Sequence, residues 1–322
     1  MQGKIILEEH FALPDTIDDS ERYFPPALWP DFRHRLVDIH GTRLEQMDKH
    51  GIELSILSLN APAIQAVWDR KRAIELARKS NDYIAGQVAK NSKRFQAVAA
   101  LPMQDPEAAA EELTRCVKEL GFLGALVNGF TQVDVEDSSV FYDLPQYGAF
   151  WATVEQLGVP FYLHPRLPLP TRAHHFEGHP WLYGPAWAFA AETSVHALRL
   201  MASGLFDKHP KLTIILGHLG ENIPAHIWRT DHRIKKMPLG IPAKKPLAEY
   251  LRNNFYLTTS GNFRDQTLTE VISEIGSDRV LFSADWPFED ISQAAEWFDG
   301  CGIHESDRQM IGRENARKLF RL

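Results

Sequence analysis

Residues 4–10 read KIILEEH; residues 161–164, 214–218 and 280–285 read FYLH, IILGH and VLFSAD. Each is a short, almost unbroken apolar run that ends in a histidine or a carboxylate. Runs of this length without polar alternation mark strands buried on both faces, as in a parallel sheet. Working outward, the chain shows eight candidate strands, at residues 4–9, 53–59, 95–101, 122–127, 159–164, 212–217, 255–260 and 279–283. Amphipathic stretches at 70–90, 106–120, 188–206 and 263–275 separate them. Pro106 suits the first turn of its helix, and Gly121 stands where that helix should stop.

Eight strand–helix units predict an α/β fold, a (β/α)8 TIM barrel. A doubly wound open sheet is the alternative, but it would bring a glycine-rich first turn, and here the first strand runs into LEEHFALP. A plain barrel needs about 250 residues, and this chain has 322. The surplus falls after strands one, four and five, at residues 11–40, 129–145 and 165–187. These segments follow strand C-termini and are rich in Pro, Phe, Tyr, Trp and His, so they predict extended βα loops forming a lid over the C-terminal face. No repeat or linker breaks the chain, so residues 1–322 are expected to form a single domain.

Composition narrows the class. With 42 acidic against 35 basic residues, the chain lacks the basic footprint of a nucleic-acid or anionic-membrane binder. No apolar run approaches the roughly 18 residues of a membrane span, and MQGKIILEEH is not a secretory signal. Two cysteines cannot build a disulfide framework. The expectation is a cytoplasmic protein with no nucleic-acid and no membrane partner.

A barrel gathers its strand ends into one ring. Along an extended strand, positions i and i+2 share a face, so Glu8 and His10 are expected to point into the mouth and Glu9 away. His164, His218 and Asp285 close the other informative strands. Singly, each has a plainer explanation: a satisfied structural histidine, a loop ion pair for Glu8, or a helix N-cap for Asp285 ahead of PFEDISQAAEWF. Jointly, imidazoles and carboxylates on one rim form a divalent-cation site. Strand four ends Val127-Asn128-Gly129, with no lysine to bridge a second metal, so one ion per chain is expected, with Zn2+ and Mn2+ both suited to the donors. In GHLGE, Glu221 is placed to orient the His218 imidazole, or simply to sit in the first turn of the next helix. Asn128 at the mouth suits a substrate oxygen or a turn. Arg229 suits a carboxylate or the surface. Trp181, Trp187, Phe189 and Phe288 suit aromatic walls or core.

These residues carry a resemblance. Glu8-x-His10, FYLHP around His164, ILGHLGE around His218 and SADWPFE around Asp285 resemble the metal-dependent decarboxylase branch of the amidohydrolase superfamily, with LEEHFALP, LSLNAPAIQA, GALVNGF and HPWLYGPAWAF in support. The resemblance runs through essentially the whole chain. It implies that Glu8, His10, His164 and Asp285 are the metal ligands and that Asp285, His218 and Glu221 handle protons. Asn128, Arg229 and Phe288 are then substrate-pocket residues, and Tyr23 stands at a lid position where a phenylalanine is expected, followed by Phe24. The implied activity is reversible non-oxidative decarboxylation of an ortho-hydroxybenzoate, foremost 2,6-dihydroxybenzoate (γ-resorcylate) to resorcinol and CO2, by a homotetramer. Decarboxylation of 2,3-dihydroxybenzoate or salicylate is the near alternative. Metal-dependent hydrolysis of an ester, lactone or amide is the more distant one, disfavoured because a carboxylate replaces the first histidine of the hydrolytic HxH pattern. A non-catalytic barrel that binds metal or an aromatic acid is the rival from outside enzymes.

Overall fold

A computed structural model describes residues 1–14, 17, 21 and 24–322. All eight expected strands form: β1 (Lys4–Phe11), β2 (Ile52–Leu59), β3 (Phe95–Ala97), β4 (Ala125–Asn128), β5 (Phe161–His164), β6 (Ile214–Leu216), β7 (Phe255–Thr258) and β8 (Val280–Leu281). Neighbours pair in parallel and in chain order. Two seams complete the TIM barrel. Between β3 and β4, Ala99 and Ala125 form a parallel bridge, with Leu126 N–H donating to the Ala99 carbonyl at 3.0 Å. Between β8 and β1, the His10 N–H donates to the Trp286 carbonyl at 2.7 Å.

Alternation sorts the strand side chains into two cores. Phe161 and Leu163 of β5, Ile214 and Leu216 of β6, and Phe255 and Leu257 of β7 face the surrounding helices. Their neighbours Tyr162, Ile215 and Tyr256 turn inward with Ile5, Leu7, Ile56, Leu126 and Leu281. Ala316 and Phe320 pack into this same cluster, closing the barrel floor with the C-terminal helix Asn315–Phe320. One layer further along, the inward positions of β4, β5 and β7 are Asn128, His164 and Thr258, so polar side chains sit directly on the apolar interior.

The helices at Arg70–Lys90, Pro106–Lys118 and Asp265–Ile275 lie where expected. Asp69 and Asp105 cap the first two, each accepting from a backbone N–H of the first turn. The expected helix at 188–206 is shorter. It ends at Ala202, and Gly204, with φ +77, starts a separate turn at Leu205–Lys208.

Of the three surplus segments, the one after β1 carries a helix at Trp29–Val37, and it forms a separate small cluster of Ala12, Ile17, Trp29 and Leu36 with Phe24, Phe32 and Phe288. Both cysteines are buried and free. Among the described residues no helix is long and apolar enough to cross a membrane.

Candidate metal centre at the barrel mouth

The expected alternation along β1 breaks, and the break makes the site. Ile6 pairs with Ser55 but Glu9 pairs with Leu57, so β1 spends one more residue than β2 over this stretch. Glu8 takes up the extra residue at φ +64. Ile5 and Leu7 face the interior; strict alternation from them would turn Glu9 inward and Glu8 and His10 outward. The bulge reverses the phase, so the expected pairing of Glu8 with His10 holds for a different reason.

Glu8, His10, His164 and Asp285 each offer one ligand atom, and these atoms lie within 4.8 Å of one another, all in buried residues. His10 Nε2 is 3.2 Å from Asp285 Oδ1, and His164 Nε2 is 3.2 Å from Glu8 Oε1. Yet Glu8 Oε1, His10 Nε2 and Asp285 Oδ1 are buried with no hydrogen-bond partner among the described residues. Orphaned polar atoms facing a common point are costly unless something shared satisfies them. A divalent cation fits this mixed O/N donor set.

Backbone strain marks the same place. Glu8, His218, Leu219, Glu221 and Asp285 all hold positive φ, a conformation that non-glycine residues keep only where the surroundings enforce it. Glycine is required beside them. A Cβ on Gly217 would come within 2.9 Å of both Glu8 oxygens, and one on Gly261 within 3.0 Å of the His218 ring.

His218 stands next to the four. Its Nδ1 is 2.7 Å from Glu221 Oε1, and its Nε2 is 3.5 Å from Asp285 Oδ2 and 3.8 Å from Glu8 Oε1. Burial disfavours its charge, but the carboxylates of Glu221 and Glu8 more than offset this, so its pKa rises well above that of a free imidazole. Glu8 is the mirror case. Burial opposes its charge, and the surrounding imidazoles, His218 first, hold it well below the usual carboxylate range. Glu221 precedes the helix Ile223–Lys236, outside its first turn, so orienting His218 is its visible role. Asp285 is likewise no helix cap, since the next helix begins at Ile291.

The other expected residues separate. The Phe288 ring lies 5.3 Å from the His10 ring, tilted by 53°, and Phe24 stacks on Phe288 in turn at 5.9 Å. Tyr23 lies outside the described residues. Asn128 is buried beside His164 in the β4–β5 ladder, and its Oδ1 has no hydrogen-bond partner among the described residues. Arg229 is exposed on the helix Ile223–Lys236 and joins none of the hydrogen bonds or ion pairs described at the site. Trp181 and Trp187 do not form walls or core within the chain: they are 66% and 53% exposed.

Sequence reasoning missed a supporting shell. Tyr162, Thr258 and Ser260 all donate to Glu8 Oε2. Ser58 Oγ lies 3.3 Å from His10 Nδ1. Fully buried Arg43 donates to the His10 carbonyl. Glu9 accepts from the N–H groups of Ala284 at 3.0 Å and Trp286 at 3.3 Å, bracketing Asp285. One signal was available: Tyr162 is two residues before His164, and Thr258 two before Ser260, so each pair shares a strand face.

Residues 28–322 match the sequence model of the Amidohydrolase family. The chain is 60% identical over 324 residues to the gamma-resorcylate decarboxylase of Rhizobium sp. (strain MTP-10005), spanning 100% of this chain and 99% of that protein. It is similar, with a TM-score of 0.98 and 60% identity over the whole of both chains, to a crystal structure of 2,6-dihydroxybenzoate decarboxylase complexed with 2,6-dihydroxybenzoate. A dihydroxybenzoic acid decarboxylase from Polaromonas sp. JS666, with bound manganese and the inhibitor 2-nitroresorcinol, gives a TM-score of 0.97 at 59% identity, over 100% of this chain and 98% of that one.

Proposed function

As this chain belongs to the amidohydrolase family, we propose that it is a metal-dependent carboxy-lyase that converts 2,6-dihydroxybenzoate to resorcinol and CO2, reversibly and without oxidation. The observation that carries this reading is the ring of buried, unpartnered donor atoms on Glu8, His10 and Asp285, completed by His164 and roofed by the Phe288–Phe24 stack.

Glu8, His10, His164 and Asp285 would hold one divalent ion per chain, Zn2+ or Mn2+. Bound there, such an ion would supply Lewis-acid stabilisation of negative charge on the substrate's oxygens. Manganese in the Polaromonas relative supports Mn2+ first. The residues do the rest. Phe288 offers its face to the substrate ring and, with Phe24, keeps water from the dearomatised ring. The unpartnered Asn128 Oδ1 accepts from a phenolic hydroxyl. Asp285, protonated when substrate is in place, gives its proton to the ring carbon that bears the carboxylate. The new C–H bond forms, the C–CO2 bond then breaks, and its electron pair restores aromaticity. His218, held protonated between Glu221 and Asp285, returns a proton to Asp285.

Trp181, Trp187 and Trp228, exposed by 53% to 71%, supply apolar surface for a homo-oligomer, with the tetramer implied by the resemblance as the expected assembly. One domain spanning residues 1–322 and a cytoplasmic location complete the reading.

The test is a panel of hydroxybenzoates given to Mn2+-loaded protein in heavy water. 2,6-Dihydroxybenzoate should yield resorcinol and CO2, with deuterium at the vacated carbon. 4-Hydroxybenzoate, lacking the ortho oxygen, should not react. Turnover of esters or lactones with no hydroxybenzoate consumed would replace this reading with the hydrolase.

A further inference from the structure

A phenol in a barrel interior needs a reason. Tyr162 is 2% exposed and packs in the apolar cluster with Ile5, Leu7, Ile56, Leu126 and Ile215, where phenylalanine would fill the same space without a polar group to satisfy. Its hydroxyl donates to Glu8 Oε2, and so does that of Ser260. Thr258 Oγ1 approaches the same oxygen at 3.3 Å and links the other two, 3.0 Å from the Tyr162 hydroxyl and 2.8 Å from Ser260 Oγ. Three hydroxyls, from β5, β7 and the turn just after β7, therefore converge on one carboxylate oxygen. The other, Oε1, receives none and faces His164 and His218. Gly217 closes the remaining side, since a Cβ there would meet both oxygens. Ser260 Oγ also accepts from the His218 N–H at 3.3 Å, tying this group to the strained segment that carries His218.

We propose that Tyr162, Thr258 and Ser260 form a hydroxyl cradle that locks the Glu8 carboxylate in one rotation, so that Oε1 alone is presented to the ligand ring. They are positioning residues, acting on the cation through Glu8 and not touching the substrate. The bulge at Glu8 needs such a lock. A carboxylate at φ +64 has lost the strand pairing that would otherwise fix its direction, and the cradle restores that direction from the side-chain end. Outer partners of metal ligands characteristically govern metal affinity by about 10- to 100-fold, and the cradle is expected to act on that scale.

This inference rests on the metal reading above, and the experiment separates the two. Tyr162→Phe keeps the ring that packs the interior and removes only the donor; Ser260→Ala removes a second donor and serves if the first variant fails to fold. The dissociation constant for Mn2+ is measured by competition with a chelator on wild type and both variants. The electron paramagnetic resonance spectrum of the bound Mn2+ and the melting temperature of the metal-free proteins are recorded alongside. The cradle predicts that Mn2+ binds about 10-fold or more weakly, that the spectrum of the bound ion changes, and that activity at limiting Mn2+ falls but returns when Mn2+ is raised. Metal-free melting should stay close to wild type. Unchanged affinity and spectrum in both variants, beside normal binding by wild type, would overturn the cradle alone. Wild-type protein that binds no divalent cation would overturn the metal reading and the cradle with it.

Discussion

Glu8 and Glu9 are neighbours in sequence, both buried, yet they live in opposite electrostatic worlds. Glu8 faces three imidazoles and three hydroxyls, and its pKa lies well below the usual carboxylate range despite the cost of burial. Glu9 faces two backbone N–H groups, with Arg43 nearby, and burial dominates, so its pKa is pushed up to about 8. Burial is common to both; the partners decide the outcome. One carboxylate turns an orphaned oxygen into the cluster with His10, His164 and Asp285. The other is a clamp whose two oxygens are both occupied, standing in for backbone pairing where β1 meets β8.

The largest expected effect comes from removing the ligand charge. Glu8→Gln should lower divalent-metal content at micromolar metal to near background and abolish turnover, as read by elemental analysis and product chromatography on one preparation. Glu9→Gln should keep metal within about 10-fold of wild type while losing about 1–3 kcal/mol of stability in urea, because an amide NH2 then faces one buried N–H. Equal metal loss in the two variants would erase the distinction between ligand and clamp.

Asp285→Asn is expected next. The side chain keeps an oxygen for the metal but has no proton to give, so kcat should fall by roughly 10²-fold or more while metal stays bound. A metal-replete variant decarboxylating at near the wild-type rate would move the proton donor to His218. Replacing Glu221 with Gln should slow turnover less, again without emptying the metal site, since it weakens the orientation of His218 and leaves all four ligands in place.

The smallest effect on metal content and turnover comes from a variant that repeats the lesson on two histidines. His218 is held charged by its carboxylates, whereas fully buried His196 has none, and burial pushes its pKa down to about 3. Neutral His196 accepts from the Tyr142 N–H at 3.1 Å. The unfolded chain takes up this proton below about pH 6.5 and the folded chain does not until about pH 3. Stability is therefore full above the unfolded pKa and declines as pH falls through that window, by at most about 1.4 kcal/mol per pH unit from this group. His196→Asn should flatten the decline of urea midpoints between pH 6.5 and 4 without altering metal content. An unchanged slope would show that His196 is not the responsible group.

The order of the eight strands, the parallel sheet and the identity of the strand-end residues were legible in the linear sequence, because each rests on local patterns: apolar runs, helix punctuation, and a polar residue closing a strand. The Tyr162–His164 and Thr258–Ser260 spacings were legible too, but nothing local says that both strands aim at Glu8. Three features belonged to the tertiary structure alone. The first is the phase of β1: whether Glu8 or Glu9 turns inward depends on pairing with Ser55 and Leu57 of β2, and one extra residue reverses every side chain beyond it. The second is the fate of the large polar and aromatic side chains. Arg43 is buried while Arg229, Trp181 and Trp187 are exposed, because exposure depends on what packs against a helix or loop from elsewhere in the chain. The third is charge. Glu8 and Glu9 are chemically identical in the sequence, and only the groups brought to them from β5, β7, the segments after β6 and β8, and Arg43 hold one charged in the cluster and make the other a clamp.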